Sequence, residues 1–399
     1  MTVPPGCLEN RIVRATSLIA LAIPSCAPLS NTYDAGPIDA FAGITPVTIP
    51  VPSESPTFYS QPVFEFIDGK TGSHAPTLCV LPDGTLLAAW YSYDGPGELD
   101  NAEIFSSRHH LDAAAWTTPK LLVHAKSSVG NPVLFSEDTR LRLFYAVVPA
   151  AWGSAQVAEL DSPDNGDSWS NQLPLNLGLG VNVRFQPLRL DNGRLLLPAY
   201  DELLQRSLFF IEDETDGFSR RSAIFTPPPT QNLQPSVIQR TDGSLLAVFR
   251  NQGRGDLLAS VSADRGATWS TPRTSGFANP NSPAQLLRLA DDTLLLVFND
   301  SQTDRHPLSA CVSDDEGRTW TLPHILVDGP GQYAYPTAVA TPDGLIHVVY
   351  SHNRERIQYL RFNAATLRTS ASAASATAEA LAIQSDDRLF STPAIKPRP

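Results

Sequence analysis

The stretch LQPSVIQRTDGSLLAVFR, residues 233–250, decides the fold. Val237 and Ile238 favour extended chain, Asp242-Gly243 is a strong hairpin signal, and residues 245–249 are strand-like again. A hairpin folds back on itself, so Gln234 and Arg250 stand at the same end of it. The layout recurs along the chain. A proline lies near the start of each first strand, at Pro76, Pro132, Pro187, Pro235, Pro283 and Pro336, with gaps of 56, 55, 48, 48 and 53 residues. Turns follow at Asp83-Gly84, Asp138-Thr139, Asn192-Gly193, Asp242-Gly243, Asp291-Asp292 and Asp343-Gly344. The second strands read LLAAWY, LRLFYAV, RLLLPAY, LLAVFR, TLLLVFN and IHVVY. No single unit of this size buries its own core. Six arranged radially do, so the spacing predicts an all-β chain folded as a six-bladed β-propeller.

Three units carry a second signature: SPDNGDSW at 162–169, SADRGATW at 262–269 and SDDEGRTW at 313–320. This S-x-D-x-G-x-T-W Asp-box has Ser for Thr in its first copy. Its Asp and Gly build the turn between third and fourth strands, and its Trp buries in the blade. The boxes are expected at the end opposite the first-strand starts. Residues 64–67 (FEFI) are expected to supply the outer strand of the last blade and close the ring.

Charged residues at 18% against 42% hydrophobic mark a soluble globular chain, and 35 prolines with 24 glycines fit many turns and few long helices. The net charge of -12 argues against nucleic acid as a partner, so an acidic ligand needs a local basic site. Cys79 and Cys311 fall inside strands as buried thiols, and Cys7 and Cys26 lie in the leader. No spacing suggests a disulfide framework, a metal centre or a cofactor. No apolar run is long enough to span a membrane. Residues 15–23 (ATSLIALAI) follow Arg11 and Arg14 and precede Ser25-Cys26-Ala27, which reads as a secretory signal peptide over 1–27. Glu9 fits that reading badly, and a cytoplasmic N-terminus is the alternative. Residues 28–60 read as a Pro/Ser/Thr-rich linker and 61–365 as the propeller. Residues 366–399 read as an Ala/Ser-rich tail with a short helix near 377–384. A monomer is expected.

In a propeller the first-strand starts converge on the axis. Around the ring stand His74, Asn131, Arg184 with Gln186, Gln234, Asn281 with Ser282, and Tyr333 with Tyr335. The ends of the paired strands add Tyr91, Tyr145, Tyr200-Asp201-Glu202, Arg250, Asn299-Asp300 and His352-Asn353-Arg354. Polar and aromatic side chains beside apolar strands compose a carbohydrate pocket. Asn131, Arg184, Gln186, Asn281, Asn299 and Asp300 are the expected substrate contacts, although Asn131 and Gln186 can equally satisfy backbone groups at a strand start. Arginines aimed at one axis repel unless an anion or nearby acids neutralise them, and Asp201 and Asp300 are the candidate acids. His109 and His110 read as surface residues, and His347 as packing.

Six hairpin repeats with three Asp-boxes resemble the sialidase (neuraminidase) superfamily, specifically its BNR-repeat proteins, over about residues 64–363. The resemblance implies three arginines on the substrate carboxylate, a Tyr nucleophile activated by a Glu, and an Asp as acid/base. On that pattern Arg250 and Arg305 match two arginines, and Tyr335 in Tyr333-Ala334-Tyr335-Pro336 matches the nucleophile. His74 stands in the place of the remaining arginine, and Gln234 in the place of the Glu. The acid/base falls in the loop GPGELDNAE, where Asp100 is the candidate, with Glu98 and Glu103 nearby.

Two arginines still bind a carboxylate through charge-assisted hydrogen bonds. Gln cannot take a proton from Tyr, whereas His74 can titrate near neutrality, as Arg cannot. Three functions follow. The first is an exo-acting glycoside hydrolase on a terminal acidic sugar, sialic or uronic, with Tyr335 attacking and Asp100 protonating the leaving oxygen. The second is a uronate-directed lyase with His74 or Tyr335 as base. The third is a non-catalytic glycan-binding propeller. Hydrolysis is placed slightly ahead of elimination.

Overall fold

The computed structural model describes residues 32–33 and 55–368, except 111, 138–139, 214–216, 227–229 and 254. The leader at 1–27 with Cys7 and Cys26, most of 28–60, the helix expected near 377–384 and the Asp138-Thr139 turn lie outside these residues. The opening hairpin is the inner half of one blade, Asn232–Gln239, Leu245–Asn251, Gly255–Ser262 and Arg273–Asn279, paired in that order. Five more antiparallel sheets repeat the scheme, making the six-bladed β-propeller. In the third blade the inner strand is split into Val181–Val183 and Leu188–Arg189, both paired with Leu195–Asp201. Blades stack face to face, so second strands are buried on both sides. Every residue of Leu86–Tyr93 is buried, which is why these strands read as apolar runs rather than alternating ones.

The prolines set the geometry of the axis. In four blades the residue before the proline has positive φ: Ala75 at 49°, Asn131 at 47°, Gln234 at 51° and Tyr335 at 58°. Strand pairing slips at each of these places, between His74 and Thr77, Gly130 and Val133, Leu233 and Ser236, and Ala334 and Thr337. Proline has no N–H for the ladder, so the strand bulges and redirects the preceding side chain. A non-glycine residue held at positive φ costs about 1–3 kcal/mol, and such strain gathers at functional sites. Below the bulges the inner strands are laced together by side chains. Gln285 exchanges two bonds with the Ala338 backbone, and Gln186 donates to the carbonyls of Leu78 and Leu134.

Ring closure differs from expectation. The outer strand of the last blade is Phe58–Pro62, paired with Arg356–Asn363, rather than residues 64–67. An outermost strand has little to bury, and no residue of FYSQP is fully buried. From the more apolar FEFI run, Phe64 and Ile67 pack between the last and first blades, where Phe64 stacks on Trp90 at 4.8 Å, while Phe66 stays exposed. Packing of the last blade runs past residue 365, because Leu367 is fully buried.

The Asp-boxes lie at the hairpin-turn end, away from the first-strand starts, as expected. In one, Asp264 accepts from the Thr268 amide and hydroxyl while Ser262 accepts from Gly266. Trp269 and Trp320 are fully buried, but Trp169 is only half-buried against its cluster. Cys79 and Cys311 are buried free thiols. His109 is buried rather than exposed, packed against Trp116 and Tyr359. His347 is wholly buried, bonded to Thr341 Oγ1 and Tyr359 Oη.

Burial pushes the His347 imidazole down to about 4. As pH falls, the unfolded chain therefore takes this proton first. The His347 contribution is complete above the unfolded value of roughly 6.5 and is lost as pH drops toward about 4, by up to ~3 kcal/mol. Denaturant unfolding of His347→Gln should show a flatter fall in stability over that window than the parent.

Candidate active site

Tyr335 is the centre of the site. The bulge before Pro336 swings it onto the axis, where it is nearly buried. Arg250 Nη1 donates to Tyr335 Oη at 3.0 Å and to Gln234 Oε1 at 2.9 Å, and its Nε donates to Asn281 Oδ1 at 2.5 Å. The two ends of the opening hairpin thus meet over one phenol. Because Gln234 Oε1 faces Arg250, its Nε2 faces the other way and donates to Tyr200 Oη at 3.3 Å. Asn131 Nδ2 donates to the same Tyr200 oxygen at 3.1 Å. Arg305 lies with its guanidinium carbon 5.5 Å from the Tyr335 ring centre and donates to the Asn281 carbonyl. His74 packs its ring 4.2 Å from that of Tyr335, with Nδ1 2.8 Å from Ser351 Oγ.

Two further residues complete the cluster. Arg354 Nη1 donates to Glu98 Oε2 at 2.7 Å. Glu98 also accepts from Tyr91 Oη at 3.2 Å and Trp152 Nε1 at 3.0 Å. Beside them lies a cavity of about 720 Å³ lined by Asn281, Arg305, His306, Gln332, Asn353 and Arg354.

The arginines reshape the acid–base chemistry. Burial alone would raise the Tyr335 phenol, but Arg250, Arg305 and Arg354 outweigh it and bring it below its ordinary value. Burial pushes His74 well below the usual imidazole range, and Arg354, Arg305, Arg184 and Arg250 push it further, so it is neutral. Burial raises the Glu202 carboxyl, against the pull of Arg250. Tyr200 is raised well above its usual value by burial, then by Glu202.

Of the expected site residues, Tyr335, His74, Gln234, Arg250, Arg305, Asn281 and Asn131 come together here. The others are elsewhere occupied. Arg184 is buried behind Tyr335 and donates to the carbonyls of Pro76, Tyr335 and Pro336, three groups that the bulges leave outside the ladder. Gln186 laces the inner strands, and Asn299 Nδ2 bonds the carbonyls of Tyr333 and Pro307. Asp100 is exposed and closes its own loop on the Gly97 amide at 2.7 Å, so Glu98 is the loop acid facing the basin. Glu103 pairs with Lys70 and His124 away from it. Asp201 caps its turn on Leu203 and Leu204 and lies 3.6 Å from Arg206, while burial raises the half-buried Asp300. Glu98 instead supplies the acid for Arg354, at 2.7 Å. Arg354 was legible only as a polar strand end, and what singles it out is its contact with Glu98.

The model of the BNR repeat-like domain matches residues 84–348, well over half of the chain. The chain belongs to this BNR repeat-like family. A sialidase of Micromonospora viridifaciens is 23% identical to this BNR protein over 90% of the chain, which spans only 61% of that enzyme's length. The fold recurs in a protein of unknown function from Dyadobacter fermentans, with TM-score 0.65 and 19% identity, covering 76% of this chain and 99% of that one. It recurs also in a leech intramolecular trans-sialidase complexed with 2,7-anhydro-Neu5Ac, with TM-score 0.66 and 14% identity, covering 78% and 71%. The BNR repeats thus carry an arginine-ringed tyrosine with an amide, Gln234, beside the guanidinium that touches it.

Proposed function

We propose that the protein is an exo-acting glycoside hydrolase that releases a terminal acidic sugar, sialic or uronic, from a glycan. The observation that carries this is Arg250 Nη1 at 3.0 Å from Tyr335 Oη, with Arg305 against the same ring. Arg250 and Arg305 hold the sugar carboxylate through charge-assisted hydrogen bonds. Tyr335 attacks the anomeric carbon as the phenolate, its proton already given up to solvent, and the glycosidic C–O bond breaks. Once substrate has broken its ion pair with Arg354, Glu98 in its protonated form gives the leaving oxygen its proton, in the role expected of Asp100. Water then attacks the same carbon, its proton returns to Glu98, and the phenolate leaves. Gln234 cannot accept the Tyr335 proton, but the surrounding guanidinium charges stabilise the phenolate in its stead. Arg184 and the strand backbones it ties close the axis beneath Tyr335, which favours recognition of a chain end. Of the two readings of residues 1–27, export leader or cytoplasmic N-terminus, this function takes the first, which places the enzyme with glycans outside the cell.

The decisive test is product analysis on sialosides and uronic-acid-capped glycans. Free acidic sugar is the expected product, and Gln234→Glu should raise its release by about tenfold or more by restoring a proton acceptor. A product with a new C=C absorbance would replace hydrolysis with elimination. That second reading is favoured by one observation: the lowered Tyr335 phenol can serve as the base, a role that the neutral, depressed His74 fills poorly.

A further inference from the structure

The turn after the last-blade hairpin joins Leu345–His352 to Arg356–Asn363, and its Asn353 and Arg354 both have positive φ, at 55° and 59°. Such turns favour glycine at the second of these positions, yet here it is arginine. The turn is docked across the seam onto the first blade: the Arg354 carbonyl accepts from the Ser73 amide at 2.8 Å and from Tyr93 Oη at 3.3 Å. Anchored this way, the guanidinium projects over the basin and lines the 720 Å³ cavity with Arg305. Its charge is the strongest acting on His74, the position at which the resemblance calls for an arginine. It acts on Tyr335 together with Arg250 and Arg305. Its ion-pair partner Glu98 keeps two other hydrogen bonds, from Tyr91 and Trp152.

We infer that Arg354 is the third carboxylate-binding guanidinium of the site and that Glu98 stands in for the ligand until the sugar carboxylate displaces it. This deepens the reading given above and rests on it. The cation lost at position 74 is supplied from the opposite side of the first-to-last blade seam. Glu98 need not move far, since Tyr91 and Trp152 still hold it when Arg354 turns to the ligand. A plain structural ion pair is the competing account. With side chains 38% and 27% exposed, such a pair is worth little to the fold, and its removal should leave ligand affinity alone.

Calorimetric titration with N-acetylneuraminic acid and glucuronic acid, each beside its methyl ester, separates the two. Arg354→Ala should weaken binding of the acid by about tenfold and leave the ester unchanged. Glu98→Gln retains a hydrogen-bonding side chain without the charge, and should tighten the acid several-fold in the parent but not in the Arg354→Ala background. If Arg354→Ala binds the acid as tightly as the parent while Arg250→Ala does not, the inference about Arg354 falls and the carboxylate site stands. If the parent binds neither acid, or if Arg250→Ala binds as the parent does, the underlying reading falls with it.

Discussion

Tyr335→Phe should reduce kcat roughly a thousandfold or more while leaving affinity for the acidic sugar within a few-fold. The substitution removes one oxygen and keeps the ring against which His74, Arg184 and Arg305 pack. Arg250 loses one acceptor but keeps Gln234 and Asn281, so its guanidinium stays in place to bind a carboxylate. Binding and chemistry are therefore separable at this residue. The phenol should also be visible directly. Three arginines draw Tyr335 below the ordinary tyrosine value, whereas burial raises Tyr91, Tyr145, Tyr200, Tyr350 and Tyr359. A spectrophotometric titration should lose its lowest-titrating phenol in Tyr335→Phe. If phenolate is the reactive form, kcat rises with pH up to the lowered value. Arg305→Met should move that rise to higher pH, because it removes a positive charge that favours the phenolate. An unchanged kcat in Tyr335→Phe would remove the tyrosine from the chemistry altogether.

The second large effect is on the fold. Arg184→Met should destabilise the protein by about 3–5 kcal/mol, seen as a clear fall in Tm. The guanidinium is buried, and burial lowers it only to about 10, so it is charged at neutral pH. It donates to three bulge carbonyls, at 3.0 Å to Pro76, 2.7 Å to Tyr335 and 3.2 Å to Pro336. Methionine fills much of the volume and satisfies none of them. Thr337 Oγ1 still reaches the Pro76 carbonyl, which limits the loss. Were Arg184 a ligand contact instead, the variant would keep its Tm and lose affinity for the acid.

The contrast between Arg184 and Arg250 shows what the chain discloses before it is folded. Both lie at strand ends near the axis, and the repeat puts both there correctly. Hairpin register was enough to bring Gln234 to Arg250 and to direct Tyr335 inward. It could not say which side chain would be spent on the backbone. The six prolines mark where the ladder can break, but only four are preceded by a residue of positive φ, at Ala75, Asn131, Gln234 and Tyr335, and no side-chain pattern displays which four. Asp100 failed for a related reason. It and Glu98 stand two residues apart in one loop, and only the turn that Asp100 makes with Gly97 turns one outward and leaves the other in the basin. Hydrophobicity does not mark the closing strand, because Phe58–Pro62 forms the edge while Phe64 from the more apolar run fills the seam beside it.

That edge has a bearing on how the site comes into being. Thr57 bonds Asn363 across 306 residues of chain, so the first strand of the ring to leave a ribosome waits for the last. The entropy of closing so long a loop grows only logarithmically, and the burden is one of time rather than of stability. Tyr335 and Arg354 belong to the same late blade. In synthesis order the axial basin and the lock of the ring are therefore finished by one event, and a nascent propeller holds no complete copy of its own site until its circle is shut.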